Sequence, residues 1–298
     1  MGNLRTALDV IEFNGARHRV RDLEGGPVAG IYSNLAQTPE ANRDIPRPGA
    51  LYAKYSFNTD VAGSGTAGTA PVFGPLLTAA AMSESVLGAT SVTYALSPTY
   101  ATTAVDIDVF RGNALLCSCD SSVSKVEFIM EPNKPMIANW EVIGLYTEPT
   151  ALSGVAALGT TARSPICKGL VVVVAGIPVK LKQLRLAINN LWAEPDEDIC
   201  GTNGVIAPSI YDRNIEIDAT FRTQLPATKN WWNLLSAESK VSFAVNYGAT
   251  PGNILGIVVD GYYRDTIEPS KAEGRHEMTI KTEMSREAGD TALSMVFT

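Results

Sequence analysis

Charged residues are scarce in this sequence, where Asp, Glu, Lys and Arg together make up only 18% of the 298 residues. Globular chains carry about a quarter of such residues, so the deficit predicts that self-association buries part of the surface. The charge that is present is acidic, with a formal net charge of −7. This argues against tight wrapping of nucleic acid, which needs clustered Lys and Arg. It does not argue against DNA passing nearby.

Histidines and paired cysteines are also in short supply, which limits the chemistry open to the chain. His18 and His276 are the only histidines. Each has charged neighbours, which predicts surface exposure, and neither belongs to an HExxH pair. There is no CxxC motif, and Cys117 and Cys119 share a strand face without further ligands. We therefore expect no metal site, no cofactor and no Cys/His nucleophile.

Long hydrophobic runs are absent as well. The most apolar stretch, residues 170–176, is far shorter than the roughly 20 residues of a membrane-spanning helix. Charges interrupt the first two dozen residues, so no signal peptide is expected. The four cysteines, which include Cys167 and Cys200, are too few for a disulfide scaffold and predict free thiols in a reducing cytoplasm. A soluble protein without membrane insertion is the expectation.

The sequence does contain a pattern that occurs twice. Apolar and polar residues alternate in two segments, as in half-buried β-strands, and the segments superimpose at a constant offset of 164 residues. The apolar positions are Leu51, Ala53, Tyr55 and Phe57 in the first segment, and Ile215, Ile217, Ala219 and Phe221 in the second.

Each of these segments is followed by apolar residues at helical spacing and then by another strand pattern. The helical stripes are Phe73, Leu76, Leu77 and Ala80, and Trp231, Leu234 and Leu235. The buried strand faces that follow are predicted to be Val92, Tyr94 and Leu96, matched by Val241, Phe243 and Val245. Adjacent helical residues point in different directions, so one of Trp231 and Trp232 is expected in the core and the other at an interface.

Hairpin-like signals precede both blocks, at Asn14-Gly15 and at Ala175-Gly176. Each hairpin runs into a stretch rich in Gly, Pro, Asn and Ala that predicts a long irregular loop, residues 24–50 and 189–212. Loops of this length are usually functional or interfacial. Residues 151–165 are weakly patterned and predict a linker. The shared order predicts a mainly β chain with two tandem domains, residues 1–150 and 166–298.

The most tempting motif is residues 63–68, which read G-x-G-x-x-G between a strand and a helix. The dinucleotide-binding fingerprint needs a buried parallel strand with a continuous apolar run before it, whereas residues 51–58 alternate. The equivalent connection in the second half, residues 223–226, has no glycine. A flexible loop is the better interpretation.

Two carboxylate clusters have ordinary explanations. Glu194, Asp196, Glu197 and Asp198 lie in a proline-containing loop that is expected to be solvated. Asp106 and Asp108 flank Ile107 and so share the polar face of a strand. No aromatic sugar platform accompanies either cluster, so no catalytic residue is assigned and the chain is not expected to be an enzyme.

Several segments, taken in order, resemble the tail tube proteins of long-tailed, siphophage-type bacteriophages. They are GPLLTAA at residues 74–80, SVTY at 91–94, VDIDVFRGN at 105–113, the strand at 126–130, and NWEVIGLYTEP at 139–149, with its GLYxxP ending. The resemblance covers residues 50–150, and it extends to the second half only by architecture. It implies two tandem β-sandwich tail-tube domains, each with one flanking α-helix, in a subunit of stacked rings around a channel that conducts viral DNA into the host.

The resemblance also implies roles for particular residues. Lumens in this family tend to be electronegative, so that DNA slides without sticking. Candidates for an acidic lumen or polar strand face are Asp106, Asp108, Glu216 and Asp218. Long loops contact the next ring, which makes ring-stacking candidates of Glu24, Tyr32, Arg43, Arg47, Trp192, Glu194, Asp196, Glu197 and Asp198.

Single-domain tube subunits form rings of six, so a chain with two such domains predicts a trimer with pseudo-sixfold symmetry. The expected partners are copies of the chain itself, tape-measure, tail-tip and tail-terminator proteins, and double-stranded DNA that passes without specific binding. The expected location is the virion tail, after assembly in the cytoplasm of the bacterial host. Two alternatives stay open: a conventional ring of six chains, and a non-tubular β-sandwich virion protein such as a decoration, tail-tip or binding module.

Overall fold

The computed structural model describes residues 10–13, 16–32, 47–99, 103–111, 115–148, 150–151, 162–192, 204–205, 209–272, 274–284 and 292–298. Within these residues the chain is mainly β, and every strand pairing is antiparallel.

The elements of the first half are β1 (Val10–Phe13), β2 (Ala16–Arg19), β3 (Arg21–Tyr32), β4 (Arg47–Asp60), α1 (Gly74–Ala79), β5 (Met82–Leu87), β6 (Ser91–Leu96), β7 (Val105–Arg111), β8 (Leu115–Met130), β9 (Ile137–Leu145) and β10 (Thr150–Ala151). Those of the second half are β11 (Val172–Val174), β12 (Ile177–Pro178), β13 (Leu181–Trp192), β14 (Ile210–Arg222), α2 (Trp231–Ser236), β15 (Val241–Tyr247), β16 (Leu255–Tyr263), β17 (Glu268–Ala272), β18 (Arg275–Glu283) and β19 (Leu293–Phe297).

Eight strands form a long sheet in the order β3-β4-β9-β8-β13-β14-β18-β17. The first four come from the first half of the chain and the last four from the second half, so the β8–β13 pairing joins the halves. A branch leaves the other end of β8, where β7 pairs with it, β1 pairs with β7 and β2 pairs with β1.

A second set of strands follows the order β12-β11-β15-β16-β19-β6-β5. We call it the second sheet, although the end of β16 also pairs with β18 of the long sheet. Here β19, the last strand of the chain, pairs with β16 on one side and with β6 of the first half on the other. Both sheets therefore contain strands from both halves.

Apolar side chains from both sheets and from the helices share one core. Phe73 lies between them, with ring centroids 6.0 Å from Trp140 of β9 and 5.8 Å from Phe297 of β19. Trp140 is fully buried, and its indole N–H donates to Thr59 Oγ1 at 2.8 Å. The alternation predicted for residues 51–57 and 215–221 is confirmed at seven of the eight apolar positions, which are buried, whereas Leu51 is half-buried.

The strand pairings repeat in the second half of the chain. The pairings β1–β2, β1–β7, β3–β4, β4–β9, β7–β8 and β8–β10 correspond in order to β11–β12, β11–β15, β13–β14, β14–β18, β15–β16 and β16–β19. The second part of β8, which pairs with β9, corresponds to β17, which pairs with β18. The offset of 164 residues between β4 and β14 therefore holds in the ladders as well as in the sequence.

The match proposed between residues 92–96 and 241–245 is wrong as an equivalence, although all six side chains are buried as predicted. Strand β15 pairs with β11, as β7 pairs with β1, so β15 corresponds to β7. The β5–β6 hairpin is an addition to the first half. Two buried strands with the same alternation cannot be told apart by spacing alone, because the ladder partner decides the equivalence.

Both predicted loops are shorter than the sequence indicated. Strand β3 continues to Tyr32 and β4 begins at Arg47, while β13 continues to Trp192 and β14 begins at Ile210. Three glycines, Pro27 and exposed positions hide the strand character of β3. Its backbone pairing with β4, rather than an alternating apolar face, holds it in place.

The two helices lie where the apolar stripes predicted them. Phe73, Leu76, Leu77 and Ala80 are buried around α1, whose first turn contains Pro75. Asn230 caps α2, because its Oδ1 accepts from the Asn233 amide at 3.1 Å. Trp231 is fully buried, which confirms that one of the pair lies in the core, while Trp232 is 44% exposed and its place at an interface stays a prediction.

Candidate functional surface

One face of the long sheet is mostly polar from β4 to β18, with apolar Ile143, Ile129 and Ala187 among its polar residues. Paired residues of a ladder lie on the same face of a sheet, so the register assigns this face directly. We call it the polar face, and its polar residues are Lys54, Ser56 and Asn58 on β4, Asn139 and Glu141 on β9, Lys125 and Glu127 on β8, Arg185 and Asn189 on β13, Glu216 and Asp218 on β14, and Thr279, Lys281 and Glu283 on β18.

Arg185 is the centre of an ion network on this face. Its Nε donates to Glu127 Oε1 on the neighbouring strand β8. Its Nη1 lies 3.1 Å from both Glu216 Oε2 and Asp218 Oδ2 on β14. Arg264 closes the network from the end of β16, with Nη1 3.2 Å from Glu216 Oε1 and Nη2 2.6 Å from Asp218 Oδ1. Two guanidinium groups thus meet three carboxylates.

The side chains of the network are only partly exposed to water, and their burial and pairing shift the pKa values of Glu127, Arg185 and Arg264. Burial alone would raise the pKa of Glu127, but the hydrogen bond and charge of Arg185, with help from Asn139 and Lys125, leave that pKa lowered. Burial likewise opposes the charged forms of Arg185 and Arg264, yet their carboxylate partners raise both pKa values. The shifts keep Glu127, Arg185 and Arg264 in their charged forms near neutral pH.

Two further cations on the polar face, Lys125 and Lys281, are also paired with carboxylates, whereas Lys54 forms no ion pair with a described residue. Lys125 Nζ lies 3.6 Å from Glu141 Oε1, and Lys281 Nζ lies 2.5 Å from Glu268 Oε1 and 3.4 Å from Asp265 Oδ2. The described part of this face therefore offers a phosphate group few positive charges that are not already neutralised.

The predicted acidic residues fall into two groups. Glu216 and Asp218 lie in the network just described, so they are not isolated negative charges. Asp106 and Asp108 lie on β7, in the branch of the sheet, where Asp106 is exposed and Asp108 is opposite Glu12 of β1. The structure does not bring the two groups together on adjacent strands. Sequence analysis missed Arg185 and Glu127, although each is the polar residue between two buried apolar neighbours.

Three of the predicted stacking residues mark the ends of the two long hairpins. Tyr32 and Arg47 are partners in the last pair of β3 and β4, and Trp192 ends β13 opposite Ile210. Four antiparallel steps separate β3 from β13, so these strands run in the same direction and both hairpins reach the same end of the sheet. Glu24 lies within β3 opposite Ser56, roughly 25 Å before that end. Arg43, Glu194, Asp196, Glu197 and Asp198 lie outside the described residues.

The glycine motif at residues 63–68 packs against a turn of the second half. The Gly63 amide donates to Asn253 Oδ1 at 2.6 Å, and the Gly65 amide donates to the Gly252 carbonyl at 2.9 Å. A Cβ on Gly63 would lie 2.2 Å from the Gly252 carbonyl oxygen. Gly63 is thus needed for close backbone approach between the halves, whereas Gly65 and Gly68 have positive φ values of 84° and 72° that favour glycine, so the motif has a structural reason.

The prediction that His18 is exposed at the surface is wrong. It is only 6% exposed, and its ring stacks on Phe13 with centroids 4.5 Å apart. Burial lowers its pKa to about 4, so the imidazole is neutral at physiological pH. It borders a cavity of about 340 Å³ that Arg19, Arg163 and the Arg21–Asp60 ion pair also line. His276 is exposed, as predicted.

The described residues contain no arrangement typical of a metal centre or an activated thiol. No group of three or more His, Cys, Asp or Glu side chains among them could hold a metal ion. Cys167 is buried, and burial raises the pKa of its thiol. Among the described helices, none is both long and apolar enough to cross a membrane. The sequence matches no protein-family model, and the search of curated proteins returns no match.

Proposed function

We propose that this chain is the structural subunit of a bacteriophage tail tube, and that it polymerises as stacked rings around a channel for viral DNA. The observation that carries the proposal is the repeated pairing pattern of the two halves, whose strands join in one long sheet with one polar face. A subunit that already contains two equivalent units side by side needs fewer chains to close a ring.

Each half would then be one tail-tube domain, a β-sandwich with a flanking helix, with residues 1–150 and 166–298 joined by the linker at 151–165. The pairing of β8 with β13 would bring two sandwiches side by side within one chain. Three chains would give six domains in a ring with pseudo-sixfold symmetry. Closure removes exposed sheet edges, which otherwise attract unwanted pairing.

The polar face suits a wall along which DNA moves without adhesion. A DNA-binding surface presents unpaired Lys and Arg to phosphates, and each such contact adds affinity. On the polar face Arg185 and Arg264 are engaged by three carboxylates, which leaves a slight negative excess. Phosphates would meet neutralised cations and weak repulsion, so the duplex would slide.

Ring stacking would use the long hairpins. Tyr32, Arg47 and Trp192 lie at hairpin ends that reach the same end of the long sheet, which is the geometry needed for two contacts per chain with the next ring. Tape-measure, tail-tip and tail-terminator proteins would be the remaining partners. The subunit would assemble in the cytoplasm of the bacterial host and function in the virion tail.

Negative-stain images of the purified protein test this proposal. The tube subunit is expected to form rings or hollow tubes as its concentration rises. A protein that remains monomeric at every concentration would contradict the proposal and favour a non-tubular virion module. Solid or irregular aggregates without a central channel would also count against it.

A further inference from the structure

The two halves of the chain meet at a junction whose geometry is known residue by residue. Strand β8 pairs with β13 over six positions, from Lys125 opposite Asn189 to Met130 opposite Leu184. Glu127 is opposite Ala187 at its centre. The junction thus pairs the outermost strand that the first repeat contributes to the long sheet, β8, with the outermost strand of the second repeat, β13.

Through the repeat, each strand of this junction corresponds to one of the two edge strands of the long sheet. Phe57 corresponds to Phe221 through the 164-residue offset, and the ladders on either side then relate β8 to β17 and β13 to β3. In this correspondence Glu127 is equivalent to Ser270, and Ala187 is equivalent to Val28. Within the described chain, β17 pairs only with β18 and β3 only with β4.

We propose that β17 of one chain pairs with β3 of the next, in an antiparallel ladder that repeats the internal junction. Transferring the internal register places Ser270 opposite Val28. It also places Glu268 opposite Gly30 and Ala272 opposite Gly26. This inference rests on the proposed function, since it describes how neighbouring chains of one ring would be joined. Both strands are short of buried apolar side chains, so main-chain hydrogen bonds would supply the contact.

The prolines of the two edge strands agree with this register. Pro269 falls opposite Ala29, and Pro27 falls opposite Lys271. These pairs are two positions apart, so they belong to the same alternate set, and antiparallel strands exchange hydrogen bonds at every second pair. The alternate pairs in between, which include Ser270 opposite Val28, contain no proline, so every residue in them has a backbone N–H that can donate a hydrogen bond. A register shifted by one residue would put one proline in each set.

Continuity of the polar face also argues against a one-residue slip. Ser270 is opposite Glu277, which is opposite Arg222, so Ser270 lies on the polar face. Val28 is opposite Tyr52, which is two residues before Lys54 on that same face. A one-residue slip would turn one side of the junction over and expose its inner face. Both features therefore exclude a register shifted by one residue from the one transferred from the internal junction.

Cross-linking between differently labelled chains tests the junction. Val28→Cys and Ser270→Cys proteins are mixed, assembled and treated with a short bifunctional thiol reagent, and cross-linked peptides are identified by mass spectrometry. A mixture of Glu24→Cys with Ser270→Cys, four positions out of register, is the matched control, and the parent protein accounts for the native cysteines. At least about fivefold more 28–270 product than control product is expected, because pairing raises the effective concentration of the thiols.

The outcomes separate the junction from the tube. Rings or tubes that yield no 28–270 product, or as much control product, would overturn the junction and leave the tube function standing. A 28–270 product from open chains that never form rings would support the junction and contradict the tube. If the protein forms no assembly and gives no 28–270 product, both the junction and the tube function are overturned.

Discussion

The amide of Gly63 donates a hydrogen bond of 2.6 Å to Oδ1 of Asn253, a residue 190 positions later in the chain. Around this bond the backbones of the two segments approach so closely that neither Gly63 nor Gly252 has room for a side chain. The contact adds to the connections between the halves that the β8–β13 and β6–β19 pairings make.

Replacing Gly63 with Ala should therefore loosen the contact between the halves. The new Cβ would overlap the Gly252 carbonyl, and we expect a loss of roughly 2–3 kcal/mol in the free energy of unfolding. Gly88→Ala is the matched control, because a Cβ there meets nothing within 4 Å. Urea unfolding of the unassembled proteins measures both. Equal effects of the two substitutions would contradict the close approach.

Arg185→Met tests the ion network of the polar face. The variant leaves Glu127, whose side chain is only 16% exposed, without its guanidinium partner. We expect a loss of about 2 kcal/mol, between the values for exposed and buried ion pairs. Lys134→Met breaks the exposed pair with Glu131 and should cost no more than about 0.5 kcal/mol. Equal losses for the two variants in thermal or urea unfolding would show that the network stabilises the fold no more than an exposed ion pair does.

Trp231 and Trp232 are adjacent in sequence and opposite in environment. Trp231 is fully buried against Phe221, with ring centroids 5.1 Å apart, and Trp232 is 44% exposed. Trp231→Ala should cost roughly 3–5 kcal/mol because it leaves a large cavity, whereas Trp232→Ala should cost less than about 1 kcal/mol. Unfolding measurements on the unassembled proteins compare them directly. A reversed order would mean that α2 is rotated.

His18 should make stability depend on pH. Its pKa is about 4 in the folded chain and 6.5 in an unperturbed histidine, so between these values the unfolded chain binds the extra proton. The free energy of unfolding therefore falls as pH falls from about 6.5 to about 4. His18→Phe should flatten this slope, and the exposed control His276→Phe should keep it. Denaturation at a series of pH values checks the difference, and identical slopes for both variants would refute it.

The sequence predicted the strands whose apolar residues alternate and missed those whose backbone alone defines them. Residues 53–57 and 215–221 alternate because one face is buried, and both were identified. Strand β3 contains Gly25, Gly26 and Pro27 and carries no such face, so only its pairing with β4 reveals it. The buried state of His18 was equally hidden, because its stacking on Phe13 depends on the hairpin.

The polar face was predicted in part. Glu216 and Asp218 were recognised as polar positions of a strand, and their register offset from residues 52–54 was correct. Arg185 could not be identified as their partner, since a sequence without aligned relatives does not say which strands are neighbours. At Glu216 and Asp218 the sequence predicted an acidic patch, whereas the structure has a network in which cations and carboxylates neutralise one another.

The number of chains in one ring tests the central claim most directly. Cryo-electron microscopy of assembled tubes would count it, by resolving each 31.7 kDa chain within a single ring. Three chains that present six similar domains around an open channel are the predicted result. Six separate chains per ring, or an assembly without a channel, would contradict it.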